Sequence, residues 1–350
     1  MEILVTGGNG FLGRHLIRAL QKRADGVRVL ALPTEDTRWL DEHGVPVFRG
    51  DILEPTTLAT PMRDVTCVIH LAAMLGTWAS PRDYAAVNVK GTANVCDAAL
   101  AAGVARLVHV SSAMVYGMAG NRPATEEDSL APLNEPYCVT KAQGDLLVQR
   151  LIREQHLPAV IIRPGTLIGP RDRLNFGRMA DRVRTGKAVI IGRGDNAIPL
   201  FSVSDMVRAL LTVADSEHAV GRIYNIGADQ PITQARYLAL ISGQLGVPTP
   251  RLHVPYRALY AAAYLAERVA AWSDGRLPPP VTRHGVKLYG ANNVISTDKA
   301  RSELGFRSEV PLVEAVRAAC EWYLDDGHSI ARGQRQPSEV LEGSAVAGGV

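Results

Sequence analysis

Residues 1–13 read MEILVTGGNGFLG, an apolar run that passes straight into a cluster of glycines. Ile3, Leu4 and Val5 show no polar alternation, the pattern of a strand buried on both faces. Gly7, Gly10 and Gly13 stand three apart, and Gly8, Gly10 and Gly13 also satisfy the G-x-G-x-x-G spacing. Beyond them, residues 14–23 carry apolar side chains at 16, 17 and 20, the period of a helix. A glycine turn between buried strand and helix lets the backbone approach a pyrophosphate. The helix N-terminus adds free N–H groups and partial positive charge. The predicted ligand is a dinucleotide, held by Gly7, Gly10, Phe11, Leu12 and Gly13. Glycines also serve ordinary turns, so the rest of the chain must decide.

The composition bounds the answer. At 350 residues, with 47% hydrophobic and 21% charged side chains, the chain has room for one large or two modest globular domains. A net charge of +3 without any run of basic residues gives no support to a nucleic-acid surface. Cys67, Cys96, Cys138 and Cys320 are scattered and form no C-x-x-C pair, which argues against a disulfide frame and a zinc site; no metal is expected. The first strand starts at residue 2, leaving no room for a signal peptide, and the expected location is the cytoplasm.

Apolar runs recur at 27–32, 45–48, 65–71, 106–110 and 160–163, and between them come helical stretches, notably 84–102, which ends at Gly103. This alternation predicts an α/β fold with a right-handed parallel sheet. The position after the second strand, which usually selects the cofactor, is occupied by Leu32, Pro33 and Thr34. Glu35 or Asp36 could reach a ribose hydroxyl and Arg38 a phosphate, while all three also suit a solvated loop. NAD and NADP both stay open, with the reading inclined to NAD. Asp51 and Ile52 fall where an adenine ring could be bonded and covered, although a loop aspartate also makes a good cap. The fourth strand ends in Leu71, Ala72 and Ala73, where the small residues let a cofactor lie close, and Asn88 follows on the next helix.

The fifth strand ends in Ser111 and Ser112, and ligands in such sheets bind beyond the carboxyl ends of strands. A helix beginning near Pro136 then places Tyr137 and Lys141 four apart, hence on one face and one turn from each other. That spacing permits proton transfer. A phenol, with an ordinary pKa of about 10, needs nearby positive charge to act as a base near neutrality. Lys141 and an oxidised nicotinamide would both provide it, and Ser112 could hold the substrate oxygen.

These residues together resemble the extended short-chain dehydrogenase/reductase family, over roughly residues 1–325. The resemblance rests on 6–13 (TGGNGFLG), the Ser111-Ser112 to Tyr116-Gly117 block, and Tyr137-Cys138-Val139-Thr140-Lys141 with Ser112 twenty-five residues earlier. It implies a Rossmann-type doubly wound parallel sheet with a smaller C-terminal substrate-binding domain. It also implies Tyr137 as general acid or base, Lys141 as ribose ligand and modulator of Tyr137, and Ser112 as holder of the reacting oxygen, with Met114 beside the substrate. Ser111, Pro164 and Thr166 are further implied cofactor contacts. Residues 1–165 are expected to form the dinucleotide-binding domain, with 197–226 returning to it. Residues 166–326 are expected to form the substrate domain, and 327–350 a disordered tail. The family also suggests a homodimer built on helices near 84–102 and 137–154.

Nucleotide-sugar epimerases and dehydratases of this family carry extra signatures, and most are missing. Thr166 stands where they have asparagine, and Ile198 stands where they have an arginine for the diphosphate, seven residues before Asp205. Losing such a charge-assisted donor is worth roughly 1.5–3 kcal/mol. Residues 256–272 instead form a helix with a broad apolar face, which could wall a greasy pocket, pack on its own domain or rest on a membrane surface. This arrangement resembles the 3β-hydroxysteroid dehydrogenase-like branch. The expected substrate is therefore a small apolar alcohol or ketone. A sugar-nucleotide epimerase and a non-catalytic dinucleotide sensor are the alternatives, and the intact Ser112, Tyr137 and Lys141 argue against the sensor.

Overall fold

The computed structural model describes residues 1–75, 79–117, 122–272 and 279–326; the expected tail at 327–350 lies outside the described residues. Seven strands form one sheet: β1 (Glu2–Thr6), β2 (Gly26–Ala31), β3 (Val47–Arg49), β4 (Cys67–His70), β5 (Arg106–Val110), β6 (Ala159–Pro164) and β7 (Ile223–Ile226). Their spatial order is β7-β6-β5-β4-β1-β2-β3, and every neighbouring pair is parallel. The order reverses between β1 and β4, and ligands of such sheets bind at that switch point.

The apolar run of β1 explains its central place. Ile3, Leu4 and Val5 are fully buried. Because side chains alternate along a strand, Ile3 and Val5 enter one core layer and Leu4 the other. The first layer is closed by Leu16, Ile17 and Leu20 of α1 (Phe11–Lys22). The second is closed by Val95, Cys96 and Ala99 of α2, which runs through Pro81–Ala85, a π-helical turn Ala86–Gly91 and Thr92–Ala101. Val148 and Leu151 of α3 (Pro136–Gln155) complete it. Helices therefore cover both faces, as a doubly wound Rossmann-type sheet requires. Ser80 starts α2 with a capping box to Asp83, and Gly103 follows its end at φ +65°, which a glycine tolerates best.

Ala197–Ile198 pairs with Ile232–Thr233 and Leu200–Ser202 with Thr166–Ile168, both outside the main sheet. It is α4 (Val203–Asp215), packed on α1, and then β7 that rejoin it. A third core, including Phe176, Met179, Tyr237, Ile241, Val316 and Tyr323, holds the C-terminal domain together. The last helix among the described residues is Leu312–Asp326.

Two further helices bear on function, α5 (Tyr256–Trp272) and α6 (Arg283–Gly290), which pack on each other. The large apolar side chains of α5 point away from the described residues on which the helix packs. Leu265, Val269 and Trp272 are 63, 70 and 86% exposed, while the inward side presents Ala263, Ala270 and Glu267. Alanines allow close packing, and the larger apolar side chains are left outside.

Candidate active site

The glycine turn is built so tightly that larger residues would not fit. Gly7 has φ +69°, and a Cβ there would lie 2.8 Å from the Ala72 backbone nitrogen. At Gly13 a Cβ would come within 2.5 Å of the Gly7 carbonyl oxygen, so α1 packs directly against the turn. The first turn of α1 has no side-chain cap and no acidic residue, which leaves its N–H groups free for an anion. Thr6 joins this turn to the end of β4: its Oγ1 accepts the Ala72 N–H at 3.2 Å and lies 2.7 Å from His70 Nδ1. Leu71, Ala72 and Ala73 are half-buried beside it. Ser111 Oγ, at the end of β5, is buried and has no partner among the described residues. An uncapped helix start, a glycine cradle and an unpaired hydroxyl around one switch point fit a dinucleotide.

The outer contacts are less open than expected. Asp51 Oδ1 accepts the Leu53 N–H at 2.9 Å, so this carboxylate caps its own turn. Ile52 is buried, and a Cβ on Gly91 would strike its side chain. Asn88, in the π-helical turn of α2, accepts the Met74 N–H at 2.8 Å and donates to Thr140 Oγ1 at 3.1 Å. Its amide thus clamps the loop after β4 to α3. A π-turn re-aims one side chain in an otherwise regular helix, and such turns gather at functional sites. After β2, Arg38 binds Asp36 at 2.6 Å on the surface, so acid and base neutralise one another there. Pro164 is buried at the end of β6, and the Thr166 N–H donates to the Pro199 carbonyl at 2.7 Å.

The reactive residues meet between β5 and α3. Pro136 opens α3 at a position that needs no N–H, and Tyr137 follows, half-buried. The Ser112 hydroxyl accepts the Met114 N–H at 3.2 Å and draws down the pKa of the neighbouring Tyr137 phenol. Lys141 is buried one turn on, and its ammonium donates to the Val110 carbonyl at 2.7 Å. Burial pushes Lys141 down to about 8, partly opposed by Asp145. The expected lowering of Tyr137 is not present in the chain alone. Burial pushes the phenol up to about 12, and the nearby Ser112 hydroxyl only moderates it. Lys141 is committed to β5, so desolvation prevails at the phenol.

Beneath α3 lies a buried polar network that local sequence does not announce. Asp145, one turn beyond Lys141, receives two hydrogen bonds from Arg163 of β6, at 2.8 and 2.9 Å. Arg163 Nη1 donates to Tyr116 Oη at 2.7 Å, and Tyr116 donates to Asn225 Oδ1 of β7 at 2.7 Å. Asp145 and Arg163 are almost wholly inaccessible, so each needs the other. The network ties α3 to β6, to β7 and to the turn after β5, and so braces the helix that carries Tyr137 and Lys141.

Around the phenol the wall is apolar. Met114, Cys138 and Leu288 form a buried cluster, with Leu133, Tyr137 and Tyr289 packed against it. α6 brings His284 edge-on to the Tyr137 ring, centroids 6.0 Å apart. Its Nδ1 lies 3.2 Å from Glu135 and 3.7 Å from Cys138 Sγ, a contact that latches the C-terminal domain to the start of α3. His284 was not foreseen, because nothing near it in sequence marks it, and Glu135 reads in sequence only as part of the start of α3. A cavity of about 330 Å³ opens beside Met114 and Tyr116, lined also by Arg122, Asn292, Val294 and Ile295. Ile198, at the diphosphate-arginine position, is buried and offers no charge.

Residues 3–227 match the model of the NAD dependent epimerase/dehydratase family. The chain belongs to that family. Its place among the extended short-chain dehydrogenases/reductases is thereby confirmed, together with a nicotinamide dinucleotide as cofactor, the family being NAD-dependent. The chain is 29% identical to a 2-alkyl-3-oxoalkanoate reductase of Stenotrophomonas maltophilia, over 91% of this chain and 98% of that one. It is 30% identical to 3β-hydroxysteroid-dehydrogenase/decarboxylase isoform 1 of Arabidopsis thaliana, over 97% of this chain and 82% of the relative. Among solved structures it resembles the dTDP-glucose 4,6-dehydratase DesIV of Streptomyces venezuelae, solved with NAD and TYD. That match has a TM-score of 0.76 and 26% identity, covering 94% of this chain and 98% of the other. Family members so named are reductases, dehydrogenases and dehydratases, and an enzyme of NAD(P) oxidoreduction is the class they share.

Proposed function

We propose that the protein interconverts a secondary alcohol and a ketone on an apolar or polycyclic small molecule, using NAD. The observation that carries this reading is the apolar cluster of Met114, Cys138 and Leu288 packed against Tyr137. Relatives named for alkyl oxoalkanoates and hydroxysteroids support it. The glycine cradle, the start of α1 and the Ser111 hydroxyl hold the dinucleotide, and Lys141 holds the nicotinamide ribose. The nicotinamide, when bound, supplies or accepts the hydride. In reduction Tyr137 gives its phenolic proton to the carbonyl oxygen, and in oxidation it takes the hydroxyl proton back. Ser112 fixes that oxygen by a hydrogen bond. Asn88 and the Asp145–Arg163 pair position the helix that carries both Tyr137 and Lys141. A homodimer on α2 and α3, with Leu146 exposed on α3, is the assembly proposed, and the cytoplasm the compartment.

A second reading is a nucleotide-sugar epimerase or dehydratase, favoured by the likeness to DesIV and by the polar Arg122 and Asn292 in the cavity. The two differ in net redox change. Incubation with the reduced cofactor and a panel of alkyl ketones, oxosteroids and nucleotide sugars separates them. Loss of reduced-nicotinamide absorbance with an apolar ketone supports the reductase. Conversion of a nucleotide sugar without net cofactor change overturns it.

A further inference from the structure

The outward side of α5 is apolar in a way that packing among the described residues does not explain. At 3.6 residues per turn, Ala258, Ala261, Ala262, Leu265, Val269 and Trp272 fall within an arc of about 100°. All six are exposed, and Trp272 is 86% so. Contiguous exposed apolar surface of this kind marks an interaction site.

The charges identify the partner. Arg257 and Arg268, both exposed, line one border of the arc. The lone acid of α5, Glu267, faces inward and is bound to Arg283 of α6 at 2.6 Å. Together α5 and α6 carry four basic residues (Arg257, Arg268, Arg283 and Lys287) against one acid. Their net charge of +3 equals that of the whole chain, so the remainder is formally neutral. An antiparallel symmetric pairing of two copies through this face would set the two basic borders against each other. An anionic lipid surface instead receives the apolar arc among its acyl chains and the arginines among its headgroups. Tryptophan suits that boundary. No helix among the described residues is long and apolar enough to cross a membrane, so the mode is docking.

We propose that α5 docks the protein onto anionic membrane surfaces through Leu265, Val269 and Trp272, with Arg257 and Arg268 contacting headgroups. The docked face is one helix away from the active site, because α5 packs on α6 and α6 carries His284 against Tyr137. The inference goes beyond the reaction assigned above and stands without it.

Co-sedimentation of the full chain with vesicles tests the proposal. The vesicles are phosphatidylcholine alone, or phosphatidylcholine mixed with phosphatidylglycerol. Binding is expected to the mixed vesicles, weakened by added salt, and reduced about tenfold or more in a Leu265→Ser/Val269→Ser/Trp272→Ser variant. Arg257→Gln/Arg268→Gln should weaken binding to the mixed vesicles and leave the weak phosphatidylcholine binding unchanged. Circular dichroism and thermal melting establish that each variant is folded. Three results overturn the proposal: no binding by the unaltered chain, equal binding by the triple variant, or a face whose alteration changes only the oligomeric state.

Discussion

Helices α3 and α5 are of similar length, 20 and 17 residues, yet they use their side chains in opposite ways. α3 turns Thr140, Lys141 and Asp145 into the interior, where each finds a partner. α5 turns leucine, valine and tryptophan out to solvent. Burying polar groups costs free energy unless they are paired, so α3 is expensive and rigid, as catalytic geometry demands. Exposing apolar groups also costs, and a surface that keeps them exposed offers them to something outside. In both helices the departure from ordinary amphipathic patterning marks the working face.

The largest effect should come from the reacting group. Tyr137→Phe keeps the ring packed on His284 and Met114 and removes only the proton donor, so turnover should fall about 10³-fold with cofactor affinity kept. Steady-state kinetics with cofactor titration measure both. Next comes the pairing beneath α3. Asp145→Ala leaves the Arg163 charge buried without its partner and should cost about 3–5 kcal/mol in chemical denaturation. A cost near zero would show that α3 is not held as described.

Lys141 sharpens the contrast through pH. Its value falls from the ordinary 10.5 to about 8 in the fold, so between those values the unfolded chain binds more protons than the folded one. Stability should therefore rise as pH goes from about 8 to about 10.5, and Lys141→Met should lose that limb and its activity together. Urea midpoints across this pH window provide the check. The smallest effect belongs to α5. Leu265→Ser should change stability by no more than about 0.5 kcal/mol, since that side chain packs on little. A loss of several kcal/mol would mean that it is part of a core.

What could be read from sequence was what is local. The strand of Ile3, Leu4 and Val5, the glycine turn and the Tyr137–Lys141 spacing all lie within a few residues, and their geometry follows from strand and helix periods. The supports were hidden because they join distant segments. Arg163 is 18 residues from Asp145 and 47 from Tyr116, while Tyr116 is 109 from Asn225. His284 meets Cys138 across 146 residues. The apolar face of α5 was visible, but its direction was not, because periodicity shows that a face exists and only packing shows where it points. The Tyr137 expectation failed for a related reason: spacing placed Lys141 on the same face, yet Val110 holds its ammonium.

The central claim is that Tyr137 protonates an apolar ketone as hydride arrives at its carbon. The most direct measurement uses reduced cofactor carrying deuterium at the transferable position, an alkyl or steroid ketone, and mass spectrometry of the product. The account predicts one deuterium on the carbinol carbon with the unaltered protein, and almost no labelled product with Tyr137→Phe. Labelled alcohol formed equally fast by Tyr137→Phe would contradict it.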